Sequence, residues 1–327
     1  MTAHETNKTN PEDSSLDPLD RLLQGYRRFR DGKPNHSNQK ILDLLKTSHP
    51  DKQKPFAVII GCSDSRVPPE FIFDCGLGEL FVIRIAGNVI DPDVKGSLEY
   101  AIEHLNVSLV VVMGHERCGA VSATLDHVLK ARKKAKTATS GYVQNEPKKA
   151  ETDSINNIIT KIEPAVQKTL DKFPKLLDNK LLEEALKKLR EEALEEAVRA
   201  NVDLVYNELN ELVKSKYPNN PPFILNGRYD LDDGEVDFWR VDEDNKRHLI
   251  RFITICNKLQ SEINMYLISD HFGDSNSDNE RKIYMSLAPN MNHILSSFVN
   301  DSWEARIDNK VVGKYTCQEK GPDWIIE

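Results

Sequence analysis

Three segments of the chain are apolar almost without a break: residues 56–61 (FAVIIG), 80–85 (LFVIRI) and 108–114 (SLVVVMG). A strand with one wet face alternates apolar and polar side chains, because successive residues point to opposite faces. Runs without alternation need cover on both faces, and a parallel sheet between layers of helices provides it. Between the second and third runs the spacing becomes helical, with Leu98, Ala101, Ile102 and Leu105 on one side of residues 96–105. Strand, helix and strand in succession make a βαβ unit. The expected class is α/β, a mostly parallel β-sheet flanked by helices.

The remaining segments divide the chain by character. Residues 1–18 are polar and acidic and read as a disordered tail. Residues 19–30 read as a helix with Leu19, Leu22, Leu23, Tyr26 and Phe29 near one face, and 38–47 as a second, short one. Residues 130–194 are charged and read as largely helical. Their first part, 130–149, is Lys-rich and expected to be flexible. A long helix over 176–214 carries an apolar stripe from Leu182 to Leu212. Residues 221–231 resume strand character, Asp232-Asp233-Gly234 signals a turn, and 235–241 reads as the returning strand. A main domain over 19–246 is expected, followed by a C-terminal extension, 247–327. In the extension, 249–268 reads as a helix or as strand plus helix, 275–280 as a loop and 285–298 as a helix.

Charge and composition exclude several classes. A net charge of -8 argues against a general nucleic-acid binder. No apolar stretch is long enough to span a bilayer. The first residues lack both the apolar core of a secretory signal and the Arg-rich character of a transit peptide, so a cytoplasmic location is expected. Five cysteines in 327 residues do not make a disulfide framework. In a reducing compartment they are thiols or metal ligands.

Two of those cysteines stand beside other reactive groups. Gly61-Cys62-Ser63-Asp64-Ser65-Arg66 follows the first apolar run, and Gly114-His115-Glu116-Arg117-Cys118-Gly119 follows the third. Both lie at carboxyl ends of parallel strands, where open α/β sheets bind ligands. Two Cys and one His are zinc ligands that leave a tetrahedral ion one open position, the layout of a catalytic site. A structural site would want a fourth ligand, for which Cys75 is the candidate. Asp64 and Arg66, two apart in an extended turn, face the same way. A guanidinium fork can hold the carboxylate ionised beside a metal.

These segments resemble the β-class carbonic anhydrases. Arg84-Ile85-Ala86-Gly87-Asn88 resembles that family's Arg-x-Ala-Gly-Asn loop, and Gly96-Ser97-Leu98-Glu99-Tyr100-Ala101 its helix before the third strand. Gly227-Arg228-Tyr229-Asp230-Leu231, with Gly234-Glu235-Val236, resembles its late hairpin. The resemblance runs from about residue 19 to 241, interrupted by a charged, helical insertion over 130–194 that the family usually lacks. It implies a Zn2+ cofactor held by Cys62, His115 and Cys118. It also implies reversible hydration of CO2 to bicarbonate and a proton, by a zinc-bound hydroxide that the Asp64–Arg66 dyad orients. Gln53, Phe81 and Tyr100 match substrate-pocket residues of the plant-like branch, with Gly119 beside them. Gln53 would donate to a substrate oxygen, and Phe81 and Tyr100 would form an apolar wall, ordinary core packing being their alternative. That pocket is shared across a dimer interface, which implies a homodimer or larger homo-oligomer. Some members close the site with the dyad Asp and bind regulatory bicarbonate beside a Trp three positions before the first Cys. Ile59 occupies that position here, so an open site without the switch is expected. Rival readings are hydrolysis of COS or CS2, a non-catalytic scaffold and a purely structural zinc site.

Overall fold

The computed structural model describes residues 17–35, 53–138, 152–178, 181–242, 244, 246–259, 262–269, 285–287, 292–298, 302–307, 310–316 and 324–326. They fall into two compact units, one of residues 25–237 and one drawn from the segments on either side of it.

The first unit is built on four parallel strands, β1 (Ala57–Gly61), β2 (Leu80–Arg84), β3 (Leu109–His115) and β4 (Phe223–Tyr229), in the order β4-β3-β1-β2. The three apolar runs fall on β1, β2 and β3. Both β1 and β3 are buried along their whole length, as two-sided cover requires. Each Val or Ile buried this way stabilises by about 1.5–3 kcal/mol relative to exposure. Gly61 lies opposite Arg84 on one side and Met113 on the other, so the carboxyl ends of the three strands sit together.

The helices supply the cover. Helix α1 (Pro18–Arg30) enters this unit at Gly25, where an added Cβ would lie 1.8 Å from the Phe73 carbonyl oxygen. Arg28 Nε donates to the buried Asp74 carboxylate at 2.5 Å, and the Val236 amide donates to Tyr26 Oη at 2.8 Å. After the short α2 (Pro69–Ile72), helix α3 (Pro92–Leu105) begins four residues before the expected start. Asp91 Oδ1 caps the Val94 amide at 2.8 Å and Pro92 takes the first turn, where a missing N–H costs nothing. Helices α4 (Gly119–Ala138), α5 (Asp153–Lys172) and α6 (Glu183–Lys216) complete the unit. Helix α6 lies so close on β3 that a Cβ on Gly114 would meet Val202 at 2.7 Å and Val198 at 3.0 Å.

Several expectations change. Residues 130–138 continue α4, whose Leu125, Val128 and Leu129 are buried, and 139–149 of the Lys-rich stretch lie outside the described residues. The buried stripe of α6 begins at Ala193, and Leu182 is exposed. The turn after β4 forms as expected. The Asp230 amide donates to Glu235 O at 2.7 Å and Gly234 takes a left-handed φ of 75° before β5 (Val236–Val241). The expected helix over 38–47, the tail up to residue 16 and the loop over 275–280 lie outside the described residues.

The second unit is a β structure. Strand β6 (Arg247–Asn257) pairs antiparallel with the end of β5 and with β9 (Asn292–Phe298), and parallel with β12 (Trp324–Ile326). A separate antiparallel sheet joins β7 (Ile263–Ser269), β8 (Met285–Leu287), β10 (Ser302–Ile307) and β11 (Lys310–Thr316) in the order β11-β10-β7-β8. The helices expected within 249–268 and over 285–298 are thus strands. Apolar spacing in short runs fits either period, and the β-branched and aromatic content of residues 249–255 (LIRFITI) favours the pleated surface. Among the described residues no helix is long and apolar enough to cross a membrane.

Candidate metal centre

Cys62 is the first residue beyond β1, His115 the last of β3, and Cys118 immediately precedes α4. Because β1 and β3 are hydrogen-bonded neighbours, their ends converge. One ligand atom from each of the three residues lies within 4.8 Å of the others, and all three side chains are buried. The two sulfurs are 3.9 Å apart.

The local chain explains how residues so close in sequence can aim at one point. Arg117 sits in the left-handed region, φ 52°, which turns the backbone between His115 and Cys118. A non-glycine residue pays roughly 1–2 kcal/mol for that conformation. Two hydrogen bonds from the Arg117 guanidinium to Asp232, at 2.7 and 2.8 Å, offset part of it. The amides of Ala120 and Val121, at the start of α4, hydrogen-bond to the Cys118 sulfur. His115 Nδ1 lies 2.9 Å from the Glu116 carbonyl oxygen. That acceptor requires the ring proton on Nδ1, leaving Nε2 a bare lone pair. Nε2 is buried and has no hydrogen-bond partner.

The sulfurs differ in acidity. Contact with the Cys118 sulfur, together with a hydrogen bond from the Gly87 amide, holds Cys62 well below the usual thiol range. The same contact, with burial, pushes Cys118 far above it. One thiolate forms readily, and a second at this distance requires a cation between them. Two thiolates and a bare imidazole nitrogen converging in a buried space form a donor set that fits zinc.

Asp64 stands at the edge of this cluster. Arg66 Nε and Nη2 donate to its two oxygens at 2.9 and 2.8 Å, and the Arg66 amide adds a bond at 3.0 Å. These bonds hold the carboxyl well below the usual carboxylate range. Its Oδ2 is 3.8 Å from His115 Nε2. Arg84 grips the backbone of the same turn, donating from Nε to Cys62 O at 3.0 Å and from Nη2 to Asp64 O.

A carbonic anhydrase family profile matches residues 57–236, more than half of the chain and all of this cluster. The chain belongs to the β-class carbonic anhydrases. Carbonic anhydrase 2 of Mycobacterium tuberculosis is 48% identical over 124 residues, 38% of this chain and 56% of that protein. A carbonic anhydrase of Mycolicibacterium smegmatis is 52% identical over 104 residues, 32% and 50% of the two chains. The chain thus spans about half the length of these relatives. A β-carbonic anhydrase structure from Aspergillus fumigatus covers 68% of this chain and 90% of its own at 22% identity, with a TM-score of 0.47.

Within this carbonic anhydrase chain the expected site residues separate into two places. Cys62, His115, Cys118, Asp64 and Arg66 are together. Gly119 opens α4 beside them, exposed, with nothing within 4 Å of where a Cβ would stand. Gln53, Phe81 and Tyr100 are not at the cluster in the same chain. Gln53 precedes β1 and is exposed, at the opposite end of the strand from Cys62. Phe81 pairs with Val58 near that end, and its ring is 6.3 Å from that of Tyr100, which is 47% exposed. Ile59 is fully buried in β1. Cys75 lies outside the cluster, its thiol 3.3 Å from Phe73 O. Sequence reasoning missed the Gly87 amide, the Arg84 clamp and the Arg117–Asp232 brace. The first two act through backbone atoms, which leave no compositional mark, and the third joins residues far apart in the chain.

Proposed function

We infer that Cys62, His115 and Cys118 hold a zinc ion, and that this centre catalyses reversible hydration of CO2 to bicarbonate and a proton. The observation that carries the reading is the buried Nε2 of His115, partnerless and set among two thiols with an arginine-held carboxylate 3.8 Å away. When bound, zinc supplies a Lewis acid that lowers the pKa of a coordinated water. The protein's part is orientation. The ionised Asp64 accepts a hydrogen bond from the attacking water and aims its lone pair, while the Arg66 fork keeps Asp64 from taking the proton. The buried walls of β1 and β3 lower the local dielectric around Cys62, His115 and Cys118, which strengthens the electrostatics there. In this reading residues 19–246 act as the catalytic domain, and Gln53, Phe81 and Tyr100 line the site of a second copy in a homodimer or larger assembly. The exposure of Gln53 and Tyr100 on one chain supports that arrangement. A cytoplasmic location, with CO2 and bicarbonate as the partners, belongs to the same proposal.

The test is metal content and CO2 hydration measured on one sample. One zinc per chain with hydration activity that rises toward alkaline pH is expected. Stoichiometric zinc without CO2 hydration at pH 8–9 would overturn the enzymatic reading and leave only a metal-binding one.

A further inference from the structure

From outside the ligand set, the Gly87 amide donates a hydrogen bond to the Cys62 sulfur at 3.3 Å. Gly87 is held in place unusually well. Its φ is 69°, a left-handed conformation that favours glycine. An added Cβ would meet Ile162 Cδ1 at 2.6 Å and Ala120 Cβ at 3.0 Å, so Ile162 is seated directly on the glycine. The Gly87 carbonyl accepts from Asn201 Nδ2 at 2.9 Å. Ile162 and Asn201 are both almost completely buried, one on α5 and the other on α6. A polar side chain on the buried face of α6 costs free energy unless it is bonded, and this one uses its amide on the loop beside the cysteine.

We propose that Ile162 and Asn201 are positioning residues of the metal centre, clamping the loop of residues 86–88 so that the Gly87 amide stays aimed at the Cys62 sulfur and sets its strength as a metal donor. The proposal rests on the reading of Cys62 as a zinc ligand. An N–H···S hydrogen bond stabilises a thiolate's charge and holds the sulfur in the direction the metal needs, and such outer partners typically tune metal affinity or activity 10–100-fold. It gives α5, a helix with no metal-binding residue in the cluster, a role in the chemistry.

The test uses the full-length chain and three variants, Asn201→Leu, Ile162→Val and, as a control, Val213→Ala. Val213 is buried near the far end of α6. Asn201→Leu keeps the branched heavy-atom skeleton, with bulkier ends, and removes the donor; Ile162→Val removes the methyl that touches Gly87. Zinc affinity is read by competition with a chromophoric chelator, and the thiolate-to-metal charge-transfer band on the cobalt(II)-loaded protein. Amide exchange at Gly87 is followed by NMR on glycine-labelled protein. Asn201→Leu is expected to weaken zinc binding about 10–100-fold, move the band to lower energy and speed exchange at Gly87. Ile162→Val should act in the same direction, and Val213→Ala should lose stability without moving the band. An unchanged band and affinity in folded Asn201→Leu overturns the proposal, as does an equal shift in Val213→Ala. If Asn201→Leu does not fold, Ile162→Val decides by the same readouts. A parent protein that takes up no zinc, or a cobalt spectrum untouched by Cys62→Ser, sinks the ligand reading instead. Exchange at Gly87 then decides the clamp alone.

Discussion

Asp64 keeps its charge because three donors from Arg66 reach it, and Arg66 is itself half-exposed, so the pair is screened by water. The worth of this pair is therefore in geometry more than in stability. Asp64→Asn should retain stoichiometric zinc while CO2 hydration falls about 10–100-fold; parent-like activity in a stopped-flow assay would remove Asp64 from the mechanism. The acid side has a definite sign. A carboxylate with a depressed folded pKa adds stability above its unfolded value near 3.9, and that stability is lost as pH falls below it. Urea midpoints of parent and Asp64→Asn should differ most above about pH 4 and converge in stronger acid. The ligands behave otherwise: Cys62→Ala or His115→Ala should lose zinc and activity together, as metal analysis on the purified variants would show.

At the scale of elements, helix α1 is tied to the first unit by contacts that can be removed singly. Tyr26 Oη accepts the buried Val236 amide, and burial pushes the phenol pKa up to about 12. Tyr26→Phe strands that amide and should cost about 1–3 kcal/mol in denaturant unfolding. Because the folded pKa is raised, the stability linked to Tyr26 is fully present below about pH 10 and lost as pH rises toward 12. Tyr26→Phe should flatten that alkaline loss. Gly25→Ala places a methyl against the Phe73 carbonyl and should reach the upper end of the roughly 1–3 kcal/mol usual for overpacking, measured by the same unfolding curves. Elements were readable where only one physical solution existed. The unbroken runs of β1 and β3 admit no wet face, so strand, sheet type and the strand-end site followed from them. The Asp91 cap was missed although Asp followed by Pro, with a further acid at Asp93, is itself a sequence mark of a helix start. Residues 285–298 were misread because a short mixed run satisfies both periods until a partner strand selects one. Ile162 and Asn201 were beyond reach: nothing local in α5 or α6 says that two side chains there close on Gly87.

For the whole molecule, the proposed metal centre would join β1, β3 and α4 within the first unit. A ligand that binds only the folded chain stabilises it by about 2.7 kcal/mol at a hundred times its dissociation constant. Stripping zinc with a strong chelator should lower the unfolding temperature, and added zinc should restore it. Hydrogen exchange should locate the loss in β1, β3 and α4 and leave β6 and β9 unchanged. His115→Ala should show no response to chelator; a parent-sized shift in that variant would place the metal elsewhere.

The pairing of Gly61 with Met113 has one more consequence. A slip of one residue between β1 and β3 would carry Cys62 about 3.3 Å along the strand and turn its side chain to the opposite face of the sheet. A compact but misaligned chain could bury nearly the same apolar side chains and still be unable to gather the donors. Zinc uptake is therefore an inspection of the fold itself: a refolded preparation that fails to take the metal can be rejected as mispaired before any enzyme assay is run.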